Sequence, residues 1–128
     1  MEVGVERLAA LVLTLTCLSH IFVPAVWTRL FDIIRAQGDL AGLATAAIHL
    51  PLGLIIVAFH NVWLWPEIVV TLLGWALLVK GSLHLLFPSV AQRSLALAGQ
   101  GDQAVRRYRL AGIMMLPLAL FVGWIALR

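Results

Sequence analysis

The stretch Gly74-Trp75-Ala76-Leu77-Leu78-Val79-Lys80-Gly81-Ser82-Leu83-His84-Leu85-Leu86-Phe87-Pro88 decides how the chain is read. It lies in an apolar run long enough to cross a bilayer, yet it carries Lys80 and, one helical turn later, His84. A cation near the centre of a membrane helix costs about 2.5–3.5 kcal/mol on insertion scales, so a lysine kept there needs compensation. Hydrophobic residues make up 62% of the 128-residue chain and charged ones 12%, against about 45–50% and about 25% in soluble domains. Too few polar residues remain to cover such a core in water. Lipid is therefore the expected solvent, and the length fits a single transmembrane domain, 1–128.

Outward from that stretch, the run 68–90 is the third of four. The first, 8–27, and the second, 41–60, hold 20 residues each without a charge, and about 20 helical residues cross a hydrocarbon core. The fourth, 110–127, is a little shorter and ends on Arg128. The start of the chain carries Glu2 and Glu6, the opposite of the basic start of a signal peptide, so the first run is expected to be a retained span. Pro24 falls in its last turn, where a kink is tolerated. Thr28–Leu40, with Arg29, Asp32 and Arg35 among apolar residues, reads as interfacial helix ended by Gly38. Ala91–Arg109 is the longest polar connection, broken by Gly99 and Gly101. Trp63 and Trp65 in the turn after His60 fit an aromatic belt.

The fold class expected is all-α, an integral-membrane four-helix bundle. Arg29, Arg35, Arg93, Arg106, Arg107 and Arg109 lie in two connections on one face, against only Arg7 and Arg128 on the other. The positive-inside rule puts those connections in the cytoplasm and both termini outside. The arginines flank membrane segments and form no polybasic run suited to nucleic acid. Cys17 stands alone, which excludes an internal disulfide.

An internal repeat is expected over about 8–60 and 72–127. His20-x3-Pro24-x4-Arg29 has the spacing of His84-x3-Pro88-x4-Arg93, and Leu50-Pro51-Leu52-Gly53-Leu54 resembles Leu116-Pro117-Leu118-Ala119-Leu120. Two parallel helical hairpins related by a pseudo-two-fold axis along the membrane normal would follow. Such an arrangement brings His20, His49 and His84 to one level, about 9–12 Å inside the cytoplasmic boundary at 1.5 Å per residue. Lys80 shares a face with His84 because residues four apart are neighbours. Its counterpart in the other copy is Thr16, and that of His49 is Met115.

The polar layer has three readings. In the first it is structural: His and Lys bond between helices or to carbonyls freed by proline, and the chain is an accessory subunit of a larger membrane complex or a homo-oligomer. In the second, Lys80 and His84, with Thr16, line the path of a small anionic or neutral solute, since no carboxylate lies in any of the four runs. His60 and Asn61, beside Trp63, would then form a small polar site on the outer face. In the third, His20 and His84 are axial ligands of haem b, or His20, His49 and His84 hold a transition metal. Catalysis has little to rest on: no Ser-His-Asp set, paired carboxylates or phosphate-cradling loop is present.

The pieces His60-Asn61-x-Trp63 and Gly74-Trp75-x4-Lys80-Gly81, followed by Phe87-Pro88, resemble a family of small bacterial four-helix inner-membrane proteins of unassigned activity. The resemblance covers residues 60–88 and implies a multi-pass protein of the bacterial inner membrane. Small multidrug transporters share the size and helix count, but the glutamate they depend on is missing from the first run. The Arg- and Glu-rich helix motifs of the four-helix eicosanoid and glutathione enzymes are absent too.

Overall fold

The computed structural model describes all 128 residues and is wholly helical. Its elements are α1 (Glu2–Phe22), α2 (Pro24–Ala36), α3 (Leu40–Phe59), α4 (Ile68–Leu86), α5 (Pro88–Ala98) and α6 (Gly101–Leu127). Helices α1, α3, α4 and α6 are long and apolar enough to cross a membrane. Their outward faces carry large exposed apolar side chains such as Leu11, Leu15, Leu54, Leu72 and Leu120. A face of that kind is suited to lipid rather than water.

Four boundaries differ from those read off the hydropathy: α1 and α6 begin earlier, at Glu2 and Gly101 rather than at 8 and 110, and two runs end earlier. The first and third runs, expected to continue to Trp27 and Val90, stop at Phe22 and Leu86. The cause is proline, which has no N–H to give and pushes the residue before it out of the helical region. Val23 sits at φ −129°, ψ 48° and Phe87 at φ −128°, ψ 84°, each donating a last N–H, to Ser19 and Leu83. Pro24 and Pro88 then start α2 and α5 at the position where proline is preformed for a helix. Pro51 and Pro117 leave α3 and α6 continuous.

The polar connection Ala91–Arg109 is also helical for most of its length, as α5 and the first turns of α6. The chain turns into α3 and α6 through Gly38 and Gly101, at φ 61° and 59°. Only glycine adopts that left-handed region without a steric penalty.

The spans pack as two antiparallel pairs, α1 with α6 and α3 with α4, while α1 and α3 meet only lightly. Backbones approach where side chains vanish. A Cβ on Gly42 would collide with the His84 carbonyl oxygen, and one on Gly53 would come 2.6 Å from the Leu78 nitrogen. Across the other pair, a Cβ on Gly112 would lie 2.7 Å from the His20 Cβ and 2.9 Å from the Cys17 oxygen. The main apolar core, with Ala9, Leu13, Cys17, Ile56, Val70 and Val122, is assembled from all four spans.

At the end of the molecule away from α2 and α5, a buried polar network ties α1 to the α3–α4 turn. His60 is wholly buried; its Nε2 lies 3.0 Å from Glu6 Oε1 and its Nδ1 3.2 Å from Thr71 Oγ1. Thr71 also donates to the Val62 carbonyl at 2.8 Å and accepts from the Val62 N–H at 3.0 Å. Trp63 closes the turn by donating to Asn61 Oδ1 at 3.0 Å.

A chamber of histidines and a cationic flank

His20 and His84 occupy matching places, in the last turn of α1 and of α4. They stand two residues from their helix ends, about 3 Å of helix at 1.5 Å per residue. His49 lies further along its own helix, nine residues into α3 from Leu40. Its side chain meets His84 because helical side chains lean toward the N-terminus. The two rings are 6.1 Å apart and nearly perpendicular, at 83°.

His20 is closed in. Its Nδ1 donates to the Thr16 carbonyl at 2.8 Å, and its ring stacks on Trp27 at 4.3 Å. Trp27 is fixed in turn by donating its Nε1–H to Ser19 Oγ at 2.9 Å. Tyr108 of α6 packs on the far side of this group, stacked on Phe31 with centroids 5.5 Å apart. His49 follows the same local rule, donating Nδ1–H to the Thr45 carbonyl at 2.7 Å. Since a carbonyl only accepts, both imidazoles carry a proton on Nδ1 and leave Nε2 free of their own helix.

His84 breaks that rule. It is 4% exposed, yet its Nδ1 has no hydrogen-bond partner, alone among the buried side-chain nitrogens and oxygens of the chain. An unpaired buried polar group costs about 1–3 kcal/mol, so it marks either strain or a place for a ligand. His20, His49, His84, Lys80, Thr16 and Tyr108 all line one chamber of about 400 Å³, floored by Trp27 and Phe31. No carboxylate lines it. Lys80 joins none of the chain's three ion pairs and stands on the exposed flank of α4.

No protein-family model, curated protein or solved structure matches this chain. The family resemblance over residues 60–88 therefore rests on those motifs alone.

The residues picked out from the sequence divide into two groups. Thr16, His20, His49, Lys80 and His84 come together at the chamber. His60 lies outside it, fully engaged by Glu6 and Thr71, while Asn61 is exposed and bonded to Trp63. No three His, Cys, Asp or Glu side chains are grouped closely enough to hold a metal ion.

Three participants escaped the sequence reading. Glu6, taken as part of a polar lead-in, is a buried residue of α1. Its signal was helical spacing, since Glu6, Ala10, Leu13, Cys17 and His20 fall on one face. Trp27 and Tyr108 had no signal, because both are brought to the chamber by tertiary packing.

Proposed function

We propose that this multi-pass membrane protein binds a small anionic or neutral solute in the chamber between His20, His49, Lys80 and His84, and passes it across or within the bilayer. The observation that carries this is the lining of the chamber, which offers imidazoles, an ammonium, hydroxyls and no carboxylate. Charged groups at membrane depth generally face a cavity and mark a solute path. In proteoliposomes, an imposed gradient of a small anion should drive a flux that Lys80→Met and His84→Ala abolish. A flux no greater than that of empty liposomes would contradict the reading.

The setting we infer is a four-helix bundle of two repeated halves in a bacterial inner membrane. What supports the repeat is that the α1–α6 and α3–α4 pairings exchange under the offset between His20 and His84, as do the breaks at Val23 and Phe87. The distribution of arginines supports placing α2 and α5 at the cytoplasmic surface and both termini outside. A second reading, an accessory subunit or homo-oligomer, is favoured by the exposed Lys80, which a carboxylate of another chain would neutralise. It predicts a larger complex on purification. His60, with both ring nitrogens occupied, serves in this account as a clamp between α1 and the α3–α4 turn rather than as a solute site.

A further inference from the structure

Lys80 belongs to two cavities at once. Inward lies the chamber. On the other flank of α4 lies a more open groove of about 650 Å³, running over Leu72, Trp75, Ala76 and Val79 toward Val90 on α5. Lys80, His84 and Ser94 line both spaces. The groove's floor follows helical spacing: Leu72, Trp75 and Ala76, Val79, and Leu83 form one apolar stripe along α4. From Leu72 to Leu83 the stripe covers about 16 Å of helix. All five residues are exposed, so the stripe faces the hydrocarbon of the bilayer. At its α5 end stand the unpaired ammonium of Lys80 and the exposed hydroxyl of Ser94, with the His84 side chain between the two spaces.

We propose that this groove is a lateral binding site for an anionic phospholipid. Its acyl chain lies along the Leu72–Leu83 stripe and its phosphate rests against Lys80, His84 and Ser94 at the mouth of the chamber. The proposal rests on the chamber reading and deepens it: the occupant is an acidic amphiphile that arrives sideways from the bilayer, not an anion from water. The argument is charge complementarity. One phosphodiester supplies the counter-charge that Lys80 lacks and an acceptor for the Ser94 hydroxyl, and it brings its own apolar chain to the stripe. A zwitterionic lipid presents the same phosphate but carries a cation beside it, which opposes Lys80.

The test uses the full chain in phosphatidylcholine vesicles containing a few per cent of either doxyl-labelled phosphatidylglycerol or doxyl-labelled phosphatidylcholine. Quenching of Trp75 is read as the difference between the wild type and Trp75→Phe. The acidic label should quench Trp75 at about fivefold lower mole fraction, the factor that corresponds to about 1 kcal/mol for one cation beside an anionic lipid. Lys80→Met should erase the preference, and Ala76→Phe, which fills the groove at an exposed position, should reduce quenching by both labels. Both variants should keep the wild-type circular dichroism. Equal quenching by the two labels would mean ordinary boundary lipid and would overturn the proposal. If anion flux still depended on Lys80 in that case, the lateral route alone would fall. A tightly bound protein that shields Trp75 from both labels would overturn it in favour of the accessory-subunit reading.

Discussion

His20 and His84 stand at equivalent positions before two matching helix breaks, and their surroundings could hardly differ more. Around His20 every polar atom that the local structure sets is answered: Thr16 takes its Nδ1–H, Ser19 holds Trp27, and the Trp27 ring covers the imidazole. Around His84 the matching acceptor, the Lys80 backbone carbonyl, is not used, and the counterparts of Ser19 and Trp27 are Leu83 and Ala91. The methyl of Ala91 cannot cover what an indole covers. The result is an imidazole with a free buried nitrogen, beside an ammonium with no carboxylate. One backbone device thus serves twice, once as a closed joint and once as an open site. The side chains around the break decide which it becomes.

The comparison can be broken most severely at the helix contacts that both sides share. Gly42→Ala puts a methyl into the His84 carbonyl, where the obstacle is backbone and cannot rotate away. Overpacking of this kind costs about 1–3 kcal/mol or more, and denaturation in mixed micelles should show α3–α4 separating. Gly112→Ala should cost a similar amount, since its obstacles, the His20 Cβ at 2.7 Å and the Cys17 carbonyl oxygen at 2.9 Å, are also fixed to the backbone. Wild-type stability in either variant would mean that these close approaches do not hold the helix pairs together.

The clamp at the far end comes next in size. Glu6→Ala removes the partner of His60 Nε2 and should destabilise by about 1–3 kcal/mol, the usual cost of a buried polar group left unpaired. Glu6→Gln, which can still hydrogen-bond the ring, should recover part of that loss. Equal stability of Glu6→Ala and the wild type in thermal unfolding would show that the clamp carries no strain-bearing role.

Trp27→Ala sharpens the comparison by opening the closed side. It removes a ring stack worth about 0.5–1.5 kcal/mol and the bond to Ser19, worth about 1 kcal/mol. The expected outcome is a modest stability loss together with a larger chamber, read as faster hydrogen–deuterium exchange around His20. Smallest of all, Arg128→Ala should change stability by at most about 1 kcal/mol, since exposed ion pairs contribute little; its partner Glu67 lies 3.7 Å away.

Much of this contrast was legible in the sequence. The His-x3-Pro-x4-Arg pattern announced two like joints, and Lys80 against Thr16 announced that they differ. Hydropathy found all four spans but misplaced two of their ends, because apolar residues continue past Pro24 and Pro88 while the helix does not. Glu6 was lost to the opposite error: a charge was taken as the edge of the membrane, when burial against His60 keeps it inside α1. The chamber itself could not be read, since Tyr108 is far from Trp27 and Phe31 in the chain and meets them only through packing.

The central claim is that Lys80 is kept for binding and not for folding. The direct measurement is anion affinity and unfolding midpoint of Lys80→Met side by side with the wild type, in the same micelles. Removing an unpaired cation from an apolar flank should leave the midpoint unchanged or raise it, while binding of a small acidic ligand, read by Trp27 fluorescence, falls at least tenfold. A variant that unfolds more easily and still binds as the wild type does would contradict the account.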